Sequence, residues 1–169
     1  EDTVPLPEPT SAPTVDQLIE EVALTADEAV AVEQSLVYIK GSELVKTGEE
    51  FSLDFYADEI KGLFSAPLYV QYDQQLFDFV RATEGDFLKR DGSPTIFTHT
   101  ALTDSGRIIV GLKQGAGGKG VSGGGNLFMM TFKAKSIGKG TIEPTRTNFR
   151  NPQGKRLNID TIGLEIEVQ

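Results

Sequence analysis

From residue 35 onward the chain alternates with a period of two. In FSAPLYVQY, Phe64, Ala66, Leu68, Val70 and Tyr72 alternate with Ser65, Pro67, Tyr69 and Gln71, the pattern of a strand with one face buried. The same alternation or short apolar run predicts strands in SLVYI (35–39), FSLDFYA (51–57), LFDFVRA (76–82), TIFTHTAL (95–102), RIIVGL (107–112), LFMMTFKAK (127–135), TIEPT (141–145) and GLEIEV (163–168). Turn signals such as YDQQ, RDGSP, TDSG, SIGKG and NPQG separate them. No long helical pattern intervenes, so crossover βαβ units are not expected, and the short, even spacing of about nine strands predicts an all-β, antiparallel β-sandwich. Pro67 falls inside a strand pattern and cannot donate to a ladder, which predicts an edge position or a bulge there.

Residues 1–34 follow a different rule. EDTVPLPEPTSAP is proline-rich and polar, as in an extended tether. After it, Thr14 and Gln17 have the spacing of a capping box, and Val15, Leu18, Ile19 and Val22 fall on one helical face. This predicts a short amphipathic helix, with a second capping spacing at Thr25 and Glu28. The chain thus divides into an acidic leader, 1–34, and a sandwich, 35–169.

Charge sharpens that division. The formal net charge of the 169 residues is −9, and the leader holds nine acidic residues and no Lys or Arg, so the remainder carries 16 acids against 16 bases. A neutral body without a basic stripe is not built for nucleic acid. No apolar stretch approaches the roughly 18 residues that cross a bilayer. The absence of Cys removes disulfides and thiolate metal sites. Because the chain begins at Glu1, it is read as a processed form or a cut fragment.

Candidate chemistry is sparse. GLKQGAGGKGVSGGGN (111–126) contains eight glycines, and Gly115, Gly117 and Gly120 satisfy G-x-G-x-x-G. A dinucleotide site needs a helix after that motif, whereas VSGGGN and another strand follow. The P-loop fails because Lys113 and Gly120 stand where Gly and Ser or Thr are required. A flexible hairpin-type loop is expected instead. His99, the sole histidine, lies in a strand without a nucleophile elbow and is read as an ordinary sheet residue. Asp58, Glu59, Asp73 and Asp91 could supply oxygens to calcium, but no EF-hand spacing occurs and no other cofactor is expected. This inventory does not describe an enzyme.

Two blocks carry a family resemblance. In GLFSAPLYVQYDQQLFDFVRATEGDFL (62–88), Tyr72, Asp73, Leu76, Val80, Gly85, Phe87 and Leu88 occupy the positions of a cohesin-module signature. GGGNLFMMTFKAKSIGKGTIEPT (123–145) is similar to the late cohesin strand, and GLEIEV fits the last one. The resemblance covers 35–169. It implies a non-catalytic jelly-roll module, related to carbohydrate-binding modules, that presents one sheet face to a partner. It further implies a binding sheet made of the strands at 64–72, 95–102, 107–112 and 127–135, which groups the outward residues Tyr69, Gln71, Arg107, Ile109, Leu127 and Met129. The implied partner is another protein, a dockerin or a component of a bacterial envelope or secretion assembly, in an extracytoplasmic setting. Two alternatives remain open at this point. One is a polysaccharide-binding module using Tyr69, Phe97 or Phe149 as its aromatic platform. The other is a structural subunit that assembles through its leader.

Overall fold

The computed structural model describes residues 34–169; the leader helix expected within 14–34 lies almost wholly outside them. Eleven strands run in the order β1 Leu36–Lys40, β2 Leu44–Val45, β3 Glu50–Leu63, β4 Leu68–Gln71, β5 Phe77–Glu84, β6 Thr95–Leu102, β7 Arg107–Gln114, β8 Val121–Ala134, β9 Gly138–Thr145, β10 Asp160–Ile162 and β11 Leu164–Val168. They form two sheets, with the orders β10-β1-β3-β8-β5 and β2-β11-β9-β4-β7-β6. All nine expected strands are present. The two additions, β2 and β10, pair parallel with β11 and β1, each at the edge of a different sheet.

The alternation explains the layers. In β3, Phe51, Leu53, Phe55 and Ala57 are buried, while Ser52, Asp54, Tyr56 and Asp58 lie on the outer side. The inner face of the five-stranded sheet is aromatic: Phe55 stacks on Phe128 with ring centroids 4.4 Å apart, and Phe132 packs edge-on to Phe79 at 5.8 Å. The six-stranded sheet answers with aliphatic residues, including Leu68, Val70, Ile108, Val110, Ile142 and Ile166, all buried. Tyr72 inserts between the layers with its ring 5.3 Å from that of Phe132, and burial pushes its phenol above the usual range.

Two sequence expectations need correction. The Gly-rich stretch is mostly strand, because β7 continues to Gln114 and β8 begins at Val121, which leaves only residues 115–120 as the connection. The glycines of β8 serve close packing. A Cβ on Gly125 would stand 2.5 Å from the Arg90 guanidinium and 2.9 Å from the Phe87 ring, so the 3-10 turn Phe87–Lys89 can lie on β8 only where no side chain projects. Pro67 is neither at an edge nor in a bulge of a continuous strand. β4 is interior, between β7 and β9, and the strand is interrupted between the isolated bridge at Ser65 and its resumption at Leu68. The missing proline N–H therefore falls in the gap.

One polar clasp closes the β7–β8 connection. Gln114 is 1% exposed. Its Nε2 donates to the Leu88 carbonyl (3.0 Å) and to both carboxylate oxygens of Asp91 (3.2 and 3.1 Å), while its Oε1 accepts from the Gly120 N–H (2.9 Å). The Ser93 backbone N–H, with Gln114 assisting, holds the Asp91 carboxyl below its ordinary range.

Candidate binding face

Strand pairing fixes which outward residues become neighbours. On the outer side of the six-stranded sheet, Tyr69 of β4 is paired with Ile109 of β7 and Thr145 of β9, and Gln71 is paired with Arg107 and Glu143. Beyond β7, the edge strand β6 places Thr100 opposite Ile109, Leu102 opposite Arg107 and Ile96 opposite Lys113. Ile96 and Leu102 are 49% and 41% exposed. At the Ile96 end Ser65, Pro67, Ile96, Thr98, Gly111, Leu112 and Lys113 line a shallow dimple of about 130 Å³. Gly111 shapes it, since a Cβ there would stand 2.8 Å from Thr98 Oγ1. A small apolar hollow beside exposed aliphatic side chains suits an anchoring side chain from a protein partner.

Tyr69 is the centre of this face. The guanidiniums of Arg107 and Arg146 lie over its ring, 5.7 and 5.6 Å from the centroid. Gln71 beside it is fixed by donating its Nε2 to the Ser105 carbonyl at 3.3 Å. Toward the other edge the surface turns acidic. Glu143 of β9 and Glu165 and Glu167 of β11 face outward with Lys139, since Glu165 pairs with Thr141 and Glu167 with Lys139.

Four of the six expected site residues, Tyr69, Gln71, Arg107 and Ile109, thus share one face. Leu127 and Met129 do not. Strand β8 belongs to the five-stranded sheet, between β3 and β5, so its outer residues point away from Tyr69. Leu127 is also buried, at 1% exposure. Along β3 the register jumps from Phe55↔Phe128 to Tyr56↔Asn126, and this bulge leaves Leu127 unpaired and turned into the core. Strand β9 takes the place that the sequence reading gave to 127–135. The contribution of Arg146 was not anticipated; the only signal for it was a cation immediately after the TIEPT strand. Ile96 and Leu102 were legible as the even positions of TIFTHTAL.

The other candidates resolve without chemistry. His99 points to the inner side of edge strand β6, where its ring lies 5.8 Å from those of Phe79 and Phe97. The aromatic platform considered for sugars is not available in Phe149, which is 2% exposed, nor in Phe97, which packs against the core. Asp73 is occupied in its own turn, accepting from the Gln75 N–H at 2.9 Å. Among the described residues no three His, Asp or Glu side chains converge as metal ligands, and no helix is long and apolar enough to cross a membrane.

A two-sheet β sandwich with a mixed apolar and charged outer face has the architecture of a module that binds through one sheet face. The family model for the cohesin domain matches residues 36–166, and the chain belongs to the cohesin family, whose domains bind other proteins and carry no catalytic activity. The fold is similar to a non-cellulosomal cohesin from the hyperthermophilic archaeon Archaeoglobus fulgidus, with TM-score 0.69, 15% identity, and 81% of this chain and 92% of that one covered. It is also similar to the second type II cohesin module of the adaptor ScaA scaffoldin of Acetivibrio cellulolyticus (TM-score 0.71, 16% identity, coverage 80% and 97%). A third similar structure is the cohesin in the Coh-OlpA–Doc918 complex, a type I cohesin–dockerin complex from Clostridium thermocellum (TM-score 0.67, 14% identity, coverage 81% and 100%). No curated protein matches the chain.

Proposed function

We propose that this module docks a dockerin-like protein, or a component of an extracytoplasmic bacterial envelope or secretion assembly, on the outer side of its six-stranded sheet. Residues 35–169 form the docking body and the acidic residues 1–34 its tether. The observation that carries the reading is the row of apolar side chains along the outer face, from Leu102 through the paired Tyr69 and Ile109 to Ile96, which lines the dimple beside Gly111. Aromatic and aliphatic side chains at the centre of a face, with charged residues around them, are the arrangement from which interface hot spots are built.

Calorimetric titration of the full chain with a panel of dockerin modules and candidate envelope proteins tests it. Tyr69→Ala combined with Ile109→Glu is expected to weaken any association at least 100-fold, the effect of losing two central anchors. Met129→Glu, on the outer side of the opposite sheet, is expected to leave it unchanged. Loss through Met129→Glu with retention in the double variant would move the docking surface to the other sheet. A glycan array forms the second arm, and binding there that depends on Tyr69 would replace the protein partner with a polysaccharide.

A further inference from the structure

The two arginines over Tyr69 carry a charge that the fold itself does not use. The salt bridges among the described residues are Lys89–Glu84 and Lys135–Asp78, so neither Arg107 nor Arg146 is ion-paired. The nearest outward acid in the register, Glu143, is separated from Arg107 by Gln71. Arg146 also adopts a left-handed backbone, with φ of +47°, a conformation that a long side chain rarely takes without a constraint. A guanidinium that neighbours a ring at this distance still has N–H donors to offer, and those donors match a carboxylate in forked geometry.

Resting on the proposed docking face, we infer that Tyr69, Arg107 and Arg146 form a clamp for a single carboxylate on the partner protein, presented beside an aliphatic side chain that enters the Gly111 dimple. The surroundings choose this ligand over an extended polyanion. Glu143, Glu165 and Glu167 cover the adjoining strands and would repel a nucleic acid or sulfated glycan running across the sheet, whereas one localised negative charge meets only the arginines. A helical partner fits this spacing. Ile109 lies opposite Tyr69 and Gly111 is two residues further along β7, about 7 Å at strand rise. An acidic and an aliphatic side chain four residues apart on a helix are separated by about 6 Å along its axis, and seven apart by about 10 Å.

Selection of displayed 16-residue random peptides on the full chain, at physiological salt, tests the clamp. The enriched peptides are expected to carry Asp or Glu four to seven residues from Leu, Ile or Val. They should bind the Arg107→Gln/Arg146→Gln double variant about ten-fold more weakly, or about 1.4 kcal/mol, with the difference shrinking at high salt. Enrichment of basic peptides, failure to enrich acidic ones, or binding to the double variant within two-fold of the parent would overturn the clamp. Ile109→Glu separates this outcome from failure of the docking face. If it abolishes peptide binding while the arginine variant does not, the face stands and the clamp falls; if neither substitution matters, the face itself is refuted. All these positions are at the surface, and unchanged melting temperatures establish that the variants are folded.

Discussion

Replacing Gln114 with Leu keeps its volume roughly constant and removes every hydrogen bond of the Gln114 side chain. The buried Leu88 carbonyl and the partly buried Gly120 N–H lose their partners. Each such group costs about 1–3 kcal/mol when buried and unsatisfied, and the greater ease of burying Leu than an amide offsets about 1 kcal/mol of the sum. The net loss is about 2 kcal/mol. With an unfolding entropy of about 2.1 cal/mol/K per residue, the sandwich of residues 34–169 should melt about 7 °C lower, a shift readily measured by calorimetry or circular dichroism. The pH dependence supplies the sharper criterion. The Asp91 carboxyl is held below its ordinary 3.8 by the Ser93 N–H first and by Gln114 among smaller contributors. Its stabilisation is therefore present above that value and lost as pH falls through the lowered one, and Gln114→Leu should flatten this acid limb. Gln114→Glu places a second carboxylate against Asp91, which should cost more than Leu at pH 7, with the excess shrinking as pH falls, because burial and mutual repulsion raise the pH at which the pair takes up its first proton. A Tm change below 1 °C for Leu, or parallel pH curves for Leu and Glu, would refute the clasp.

Two further expectations concern the core. Phe128→Ala removes a ring that is fully buried and stacked on Phe55 at 4.4 Å; urea unfolding should show a loss of about 3–5 kcal/mol, and a loss below 1 kcal/mol would contradict the packing described. Tyr72 should titrate above pH 10, chiefly because burial disfavours its phenolate and also because Asp78 repels it. Stability linked to Tyr72 is then intact below pH 10 and declines above it, so a phenolate absorbance change for Tyr72 near pH 10 in the folded protein would contradict its placement.

Period-two alternation carried most of the architecture, because a half-buried strand writes its two faces directly into the sequence. It correctly put Tyr69, Gln71, Arg107 and Ile109 outward, and Phe128, Met130 and Phe132 inward. Alternation reports the side on which a residue lies and says nothing about which strand is its neighbour. The placement of β8 on the binding sheet came from the family resemblance, and alternation offered no check on it. Leu127 failed for a second reason, since the bulge that rotates it inward depends on a register with β3 that local sequence does not encode. Strands β2 and β10, with two and three residues, are too short to show any period. The glycines of 123–125 look like a loop in isolation and are explained by tertiary contacts, Gly125 by the Phe87–Arg90 segment that packs on it and Gly124 by the β3 backbone at Ala57.

The pairing of the first strands with the last has a mechanical consequence. β2 and β11 run parallel, and Thr47 and Glu167 donate to Gln169 and Glu43 at 2.8 Å, with Gln169 donating to Val45 at 2.9 Å. Tension that drags the chain before β1 backward and the end of β11 forward would slide these two strands past each other. The bonds between them would then share the load in shear, together with those of β1 to β3 and β10, instead of opening one after another like a zipper. A chain pulled at its two ends would thereby be held by the same short edge strands that are least visible in its sequence.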